Sequence, residues 1–304
     1  MPKNRYSKKI EELEKNADFD VDVKPVNQKF VKKMDPNKFK YKHKNIFYKF
    51  YSFLVRLVVY ILGPIFTFFY FKLRIRGRKN LKAIRKKGAI VVTNHVHTLD
   101  SLYIRQISRT RSMYYLAAPF NNKKGLAGLT LRVAGVLPLG NGLKLAKQLD
   151  TTIADLLKNK RLLTIYAEES MWMGYTKIRP LKRGAFHYAV KNNSPVVPVV
   201  ALFRKTNWLD KLLMRKYKVT LQILPAIFPK PELSPKDNID YMCKTCHQEM
   251  VKCANAFYGV ECDAQKIYKE STESIQKEES FVLSEELLQT KQKEELPCSK
   301  NNNT

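Results

Sequence analysis

The hydrophobic pattern divides the chain into three stretches. Residues 1–44 are polar and Lys-rich, with Leu13, Phe19, Val21 and Val23 scattered at no sustained period. This stretch reads as a basic arm, flexible or loosely helical. At Ile46 the pattern becomes almost continuously apolar, IFYKFYSFLVRLVVYILGPIFTFFYF, and the 15 residues from Leu57 to Phe71 carry no charge. Counted from Phe50, with Arg56 tolerated, the run reaches the length of about 20 residues that crosses a hydrocarbon core. Arg56 sits close enough to one end to snorkel its guanidinium to the interface. Tyr48, Tyr51, Tyr60 and Tyr70 suit a headgroup layer. Pro64 lacks a backbone donor and predicts a kink or break after Gly63. Segment 45–73 is therefore read as a membrane-associated helical element, either one span or two short helices dipping into one leaflet. Basic residues flank both ends: Lys42, Lys44 and Lys49 before, Lys72, Arg74, Arg76 and Arg78 after. That symmetry leaves the positive-inside rule without a direction. It favours a monotopic or re-entrant element with both ends on the cytoplasmic face of the cell membrane. The competing reading, a buried core helix, requires a small domain to hide an unbroken run of large aromatics.

Beyond the apolar run, short β-branched stretches alternate with amphipathic ones. Strands are expected at 88–93, 112–118, 161–167, 195–203 and 219–224, and helices at 100–107, 144–158, 184–191 and 239–258. In the 144–158 helix, Leu145, Leu149, Ile153 and Leu156 share one face. Alternation of this kind predicts an α/β domain over 74–264, a mostly parallel sheet flanked by helices. Residues 265–304 are rich in Lys, Glu, Ser, Gln and Asn and read as a polar, disordered tail, with a short helix through Phe281, Leu283, Leu287 and Leu288 as the alternative.

Charge sharpens the picture. Fifty-six Lys and Arg stand against 27 Asp and Glu, a formal net charge of +29. A field of that size attracts a polyanion, either nucleic acid or an anionic lipid surface. No nucleic-acid-binding motif is present, and that reading leaves 46–71 unexplained. An anionic membrane surface is therefore the expected partner and nucleic acid is not. Cys243, Cys246, Cys253, Cys262 and Cys298 all lie in the last quarter of the chain, without a secretory signal ahead of them, which predicts reduced thiols. Cys243, Cys246 and His247 have a metal-like spacing, but no second CxxC pair exists and the segment reads as a helix face. No metal and no cofactor is expected.

The segment Thr93-Asn94-His95-Val96-His97-Thr98-Leu99-Asp100 carries the chemistry. It follows a predicted strand and opens a predicted helix, the place where α/β sheets gather active sites. His95 has the side chain suited to proton transfer near neutrality. Asp100 is placed to accept from its second ring nitrogen, fixing the tautomer and stabilising the cation. His97, two residues along, is expected to be structural, with Thr93 and Asn94 shaping the turn.

The NHxxxxD pattern just after a membrane-associated segment resembles the lysophospholipid acyltransferase family, which includes the 1-acylglycerol-3-phosphate acyltransferases. The resemblance covers about 74–224 in four ordered blocks. After NHVHTLD comes Gly135-Val136-Leu137-Pro138-Leu139. The third block is Tyr166-Ala167-Glu168-Glu169-Ser170, followed by Pro180-Leu181-Lys182-Arg183-Gly184-Ala185-Phe186. The fourth is Val196-Val197-Pro198-Val199. The resemblance implies an O-acyltransferase of phospholipid biosynthesis. It would move a fatty acyl group from a thioester donor, acyl-CoA or acyl carrier protein, to the hydroxyl of a lysophospholipid-type acceptor. His95 and Asp100 would be catalytic, with backbone N–H groups at the following helix start holding the oxyanion. Glu168 would bind the acceptor or brace the loop, and with it Ser170, Lys182 and Arg183 would be acceptor-binding. The loop of Met171, Trp172, Met173 and Tyr175 would rim the acyl entrance or simply pack. Two departures stand out. Where the family continues Glu-Gly-Thr-Arg, this chain reads Glu168-Glu169-Ser170-Met171, and where the second block ends in Arg it has Gly140 and Asn141. Both phosphate-holding arginines are thus replaced. Lys182, Arg179, Arg183 and Lys144 are the nearest substitutes, while Glu169 would repel a phosphate. A catalytically degenerate lipid-binding relative is the alternative that these departures permit, and a basic nucleic-acid-binding protein the weaker one.

Overall fold

In the computed structural model, described for residues 5–24, 28–108, 110–212 and 217–260, the chain forms α1 (Ser7–Lys15), α2 (Ile46–Phe71), β1 (Arg74–Arg76), β2 (Ala89–Thr93), α3 (Asp100–Ile104), β3 (Met113–Ala117), α4 (Gly125–Ala134), β4 (Val136–Pro138), α5 (Leu143–Lys158), β5 (Leu162–Ile165), α6 (Gly184–Lys191), β6 (Val196–Arg204), α7 (Trp208–Leu212), β7 (Lys218–Ile223) and α8 (Pro235–Tyr258). All of these lie in the unit Met1–Cys262. The expected tail, with Phe281 to Leu288, lies outside the described residues, as do Cys262 and Cys298.

The seven strands form one sheet in the order β1-β7-β6-β2-β5-β3-β4. Pairing is parallel from β6 through β2, β5 and β3 to β4, and also between β1 and β7; only β6 and β7 run antiparallel. β2 shows why a continuous apolar run reads as a central parallel strand. Ala89 and Val91 enter one core and Ile90 and Val92 the other, because successive side chains alternate faces and both faces are covered. The first face is covered by α1, α3 and the end of α2, through Ile10, Tyr103, Ile104 and Phe71. The second is covered by α5, α6 and α8, through Leu149, Ile153, Phe186, Met242 and Met250. β1 escaped the sequence pattern because a three-residue Arg-Ile-Arg edge strand has no apolar run to display. α4, directly before β4, was likewise not anticipated.

The basic arm is not a detached element over its described residues. Ile10, Leu13 and Val23 are buried in the same core as Val91 and Trp172. The i, i+3 pair in α1 is too short a signal to distinguish docking from a loose helix by sequence.

α2 is one continuous helix through Pro64. The expected break does not occur, so the two-helix alternative is set aside. Thr67 Oγ1 donates to the Gly63 carbonyl at 2.8 Å, giving the turn around Pro64 a side-chain donor. Only a narrow stripe of α2 is buried, at Gly63, Thr67 and Phe71. Phe47, Phe50, Phe53, Phe68 and Phe69 are exposed, which excludes the buried-core reading. α8 starts four residues before its sequence expectation, with Ser234 accepting from Asp237 N at 3.2 Å and Pro235 in the first turn. Cys243 and Cys246 face the second core from this helix, and Cys253 is half-buried.

Candidate active site

β2 ends at Thr93, and the next residues build a turn from their own side chains. The Asn94 amide pairs with the backbone of Ala201 in β6: Nδ2 donates to the carbonyl at 3.1 Å, and Oδ1 accepts from the N–H at 2.8 Å. This side chain continues the sheet pairing one residue past the strand and fixes where His95 emerges. His97 is buried, and its Nδ1 accepts from Leu99 N at 3.0 Å. Its ring packs edge-on against Phe71 and Tyr217. Burial lowers its pKa, partly offset by the charge of Asp100. His97 is thus a turn-forming residue in contact with the end of α2.

The turn returns Asp100 to the start of α3, where its Oδ2 lies 2.7 Å from Nδ1 of His95. The carboxylate is nearly inaccessible, while the imidazole is 23% exposed. Nε2 is therefore the nitrogen left for a substrate. Tyr166 stacks on the His95 ring with centroids 4.2 Å apart. Burial, reinforced by the Asp100 charge, holds the Tyr166 phenol well above its usual pKa. Tyr103 is raised for the same two reasons. Both phenols stay neutral beside the pair.

Glu168 sits behind His95. Its Oε2 accepts from the His95 N–H at 3.2 Å and from Arg179 Nη2 at 2.8 Å, and its Oε1 accepts from Arg179 N at 2.9 Å. Both side chains of this ion pair are fully buried, and the Arg179 guanidinium lies over the Trp172 ring. Trp172 N and Gly174 N donate to the carbonyls of His95 and Val96. The third-block loop and the histidine turn are therefore one bonded unit.

The residues expected on the acceptor side have partners within the chain. Glu168 is buried and braces the loop. Ser170 is buried too, donating to the Phe19 carbonyl at 2.7 Å and accepting from Arg179 Nη1. Lys182 is paired with Asp20 at 3.0 Å, and Arg183 with Asp240 at 2.8 Å. Lys144 donates to Asn37 Oδ1 at 2.6 Å. The arm supplies further partners: Met171 N donates to Asp22 Oδ1 and Trp172 Nε1 to the Val21 carbonyl, both at 2.9 Å. Sequence reasoning gave Tyr166 no role and treated Arg179 as a phosphate candidate. It could have paired Arg179 with Glu168 only by knowing that the loop folds back on itself. Trp172 and Tyr175 are buried, so they pack rather than rim an entrance. Glu169, at the family's glycine position, has φ of 59°, the left-handed conformation that glycine adopts without cost.

His247 lies buried on α8, and burial lowers its pKa to about 4. Among the described residues no group of three or more His, Cys, Asp or Glu side chains converges to hold a metal ion.

The fold and this constellation define an α/β enzyme-like scaffold with a His–Asp pair at a strand end. The Acyltransferase family profile matches residues 72–202. The human 1-acyl-sn-glycerol-3-phosphate acyltransferase beta is 27% identical over 191 residues, 61% of this chain and 66% of that protein. The 1-acyl-sn-glycerol-3-phosphate acyltransferase of Saccharomyces cerevisiae is 30% identical over 140 residues, 42% of each chain. This chain thus spans less than two thirds of the length of these relatives. The crystal structure of PlsC, the 1-acyl-sn-glycerophosphate (LPA) acyltransferase of Thermotoga maritima, superposes with a TM-score of 0.49 at 18% identity, covering 72% of this chain and 98% of that one. Over residues 72–202 the chain is thus similar to acyltransferases, among them acyltransferases of 1-acyl-sn-glycerol-3-phosphate.

Proposed function

We propose that the protein is a membrane-associated O-acyltransferase that moves a fatty acyl group from a thioester donor to the hydroxyl of a lysophospholipid-type acceptor. The observation that carries this reading is the 2.7 Å contact between His95 Nδ1 and Asp100 Oδ2. With Nδ1–H donated to the carboxylate, Nε2 holds a lone pair for the acceptor hydroxyl. As the hydroxyl oxygen bonds to the thioester carbonyl carbon, its proton passes to Nε2, and Asp100 stabilises the imidazolium. Collapse of the tetrahedral adduct breaks the carbon–sulfur bond, and the proton returns to the departing thiolate.

α2 supplies the membrane context. Its 26 residues extend about 39 Å at 1.5 Å per residue, enough to cross a bilayer. Yet both its halves touch the same domain: Tyr51 Oη and Thr130 Oγ1 are 2.7 Å apart, and Ser52 Oγ donates to the Val133 carbonyl at 2.8 Å. At the other end, Phe71 touches His97. This geometry suits a helix lying in the plane of one leaflet, its exposed aromatics in lipid and the His95 turn at the boundary where a lysolipid hydroxyl resides. The cytoplasmic face, where thioester donors are made, is the side assigned.

The test is acyl transfer by purified protein in detergent, with labelled acyl-CoA and acyl carrier protein donors against a panel of lysophospholipids and glycolipids. Turnover that His95→Ala abolishes is expected. Undiminished turnover in His95→Ala would refute the mechanism. Lipid binding with no turnover for any pair would refute the enzymatic reading.

A further inference from the structure

A cavity of about 290 Å³ opens at the β4 edge of the sheet. β4 is three strands from β2, and at about 4.8 Å per strand that is roughly 14 Å across the sheet. Neither His95 nor Asp100 lines it. Its walls come from the arm at Phe39–His43, from the first turns of α2, and from α4 and β4.

The chemistry of the walls is one-sided. Lys40, Lys42, Lys49, Arg56 and Arg132 line the cavity, and among the described residues no Asp or Glu does. Lys42 is ion-paired with Asp155 at the rim. The two arginines are held in place by other contacts. Arg56 stacks on the Tyr114 ring, 4.6 Å from its centroid, and its Nε donates to the Val133 carbonyl at 3.0 Å. Arg132 Nη1 donates to Asn122 Oδ1 at 2.9 Å. These bonds leave Nη2 of each guanidinium without an acceptor among the described residues. His43 stacks on Tyr48 at 4.0 Å; burial lowers its pKa, a hydrogen bond to the Lys40 backbone partly offsets this, and the neighbouring Arg132 and Lys40 charges lower it again. The floor is apolar, from Val133, Leu137 and Leu156.

Position supplies the second argument. Tyr48, Lys49, Ser52 and Arg56 line the cavity from one side of α2, while Phe47, Phe50 and Phe53 on the same turns are exposed. A helix with those aromatics in the acyl region places its basic side at the depth of headgroup phosphates. We propose that this cavity binds the phosphate of an anionic membrane lipid, at a site separate from the transfer site. The two arginines and the exposed lysines take the phosphate oxygens, and the apolar floor takes the adjoining glycerol. The assignment rests on the reading of α2 as membrane-embedded and does not depend on acyl transfer.

The test is equilibrium binding of labelled dioctanoyl phosphatidic acid to the full chain in a neutral detergent. Dioctanoyl phosphatidylcholine, glycerol 3-phosphate and adenosine 3′,5′-bisphosphate serve as competitors. Saturable binding is expected, with each competitor about tenfold weaker or worse, the loss of one charge-assisted interaction or of the tail contacts. The Lys40→Gln/Lys49→Gln double variant should bind roughly 30-fold more weakly, at about 1 kcal/mol per cation. Both side chains are exposed, so the variant should melt with the wild type. His95→Ala should bind as the wild type, which separates this site from acceptor capture. Unchanged affinity in the double variant, equal competition by phosphatidylcholine, or weakened binding in His95→Ala would overturn the proposal. Equal competition by the soluble phosphates would overturn the lipid source. Because the readout is binding, a protein without transferase turnover can still pass, and an active transferase can still fail.

Discussion

Asp100→Asn isolates the charge of the His–Asp pair while keeping its shape. The Oδ2–Nδ1 separation of 2.7 Å sets the centres of carboxylate and imidazolium about 4 Å apart, worth about 4 kcal/mol at an effective dielectric near 20. The imidazole is 23% exposed, so water screens part of this, and about 2–4 kcal/mol is a fair range for the transition state. That corresponds to a fall in kcat/KM of roughly 30- to 1,000-fold. An asparagine amide facing Nδ1 would also favour the tautomer with its proton on Nε2, which is no base. Steady-state transfer from an acyl thioester should therefore fall in Asp100→Asn and His95→Ala. The double variant should be no worse than His95→Ala alone, because the two residues act as a unit. Unfolding curves of all three should show a folded protein. Activity of Asp100→Asn within about threefold of wild type, or a double-variant loss equal to the product of the single losses, would refute the pairing.

Three further outcomes are expected. Glu169→Gly should raise the melting temperature by about 2 °C, since the left-handed φ of 59° costs a side-chain-bearing residue about 1 kcal/mol; Glu169→Ala, which keeps a Cβ, should not, and equal gains would dismiss backbone strain. Deletion of residues 1–24 in a Trp208→Phe background should shift the remaining tryptophan emission to the red, because Trp172 is fully buried against Phe19 and bonded to Val21; an unchanged spectrum would show that the arm does not cover it. His247 should make stability fall with acid. Its folded pKa of about 4 lies below the ordinary 6.5, so the unfolded chain binds the extra proton, and stability present above pH 6.5 is lost progressively towards pH 4, about 3 kcal/mol in all. His247→Leu should flatten that part of the pH–stability profile, and an identical profile would assign the acid sensitivity elsewhere.

Much of this molecule was legible in the sequence because its signals are local. Ile90 to Thr93 could hardly be anything but a buried parallel strand, and the 144–158 amphipathic pattern delivered α5 with its first residue at Leu143. His95 and Asp100 were readable as a pair because five residues separate them across one turn. The partners of Glu168, Ser170 and Lys182 were not, because they are remote in the chain. Glu168 meets Arg179 across a folded loop, Ser170 meets Phe19 from 151 residues away, and Lys182 meets Asp20 from 162. No period or spacing announces such contacts. Pro64 shows the opposite failure: a strong local rule predicted a break, and the helix continues through it, with Thr67 donating to the Gly63 carbonyl one turn on.

The bonding of the third-block loop bears on how this site works. A buried Glu–Arg pair is costly to desolvate and is weak evidence of stabilisation by itself. Here, however, each Glu168 oxygen has a backbone partner as well, and one of those partners is the N–H of His95. The loop, the imidazole and the strand end therefore hold their relative positions through groups that would be stranded in an apolar interior if any one moved. Two acidic residues of the otherwise basic arm complete the unit, Asp22 accepting from Met171 N and Asp20 from Lys182. In this chain the polar residues of the block thus position His95, and the carboxylates that take up its remaining donors come from the arm. If the proposed acceptor is anionic, its charge would be met by cations outside this network, or by the arm giving way to a headgroup that competes with Asp20 for Lys182. The second route would tie acceptor binding to the docking of residues 18–22, and so couple the N-terminal arm to the chemistry at His95.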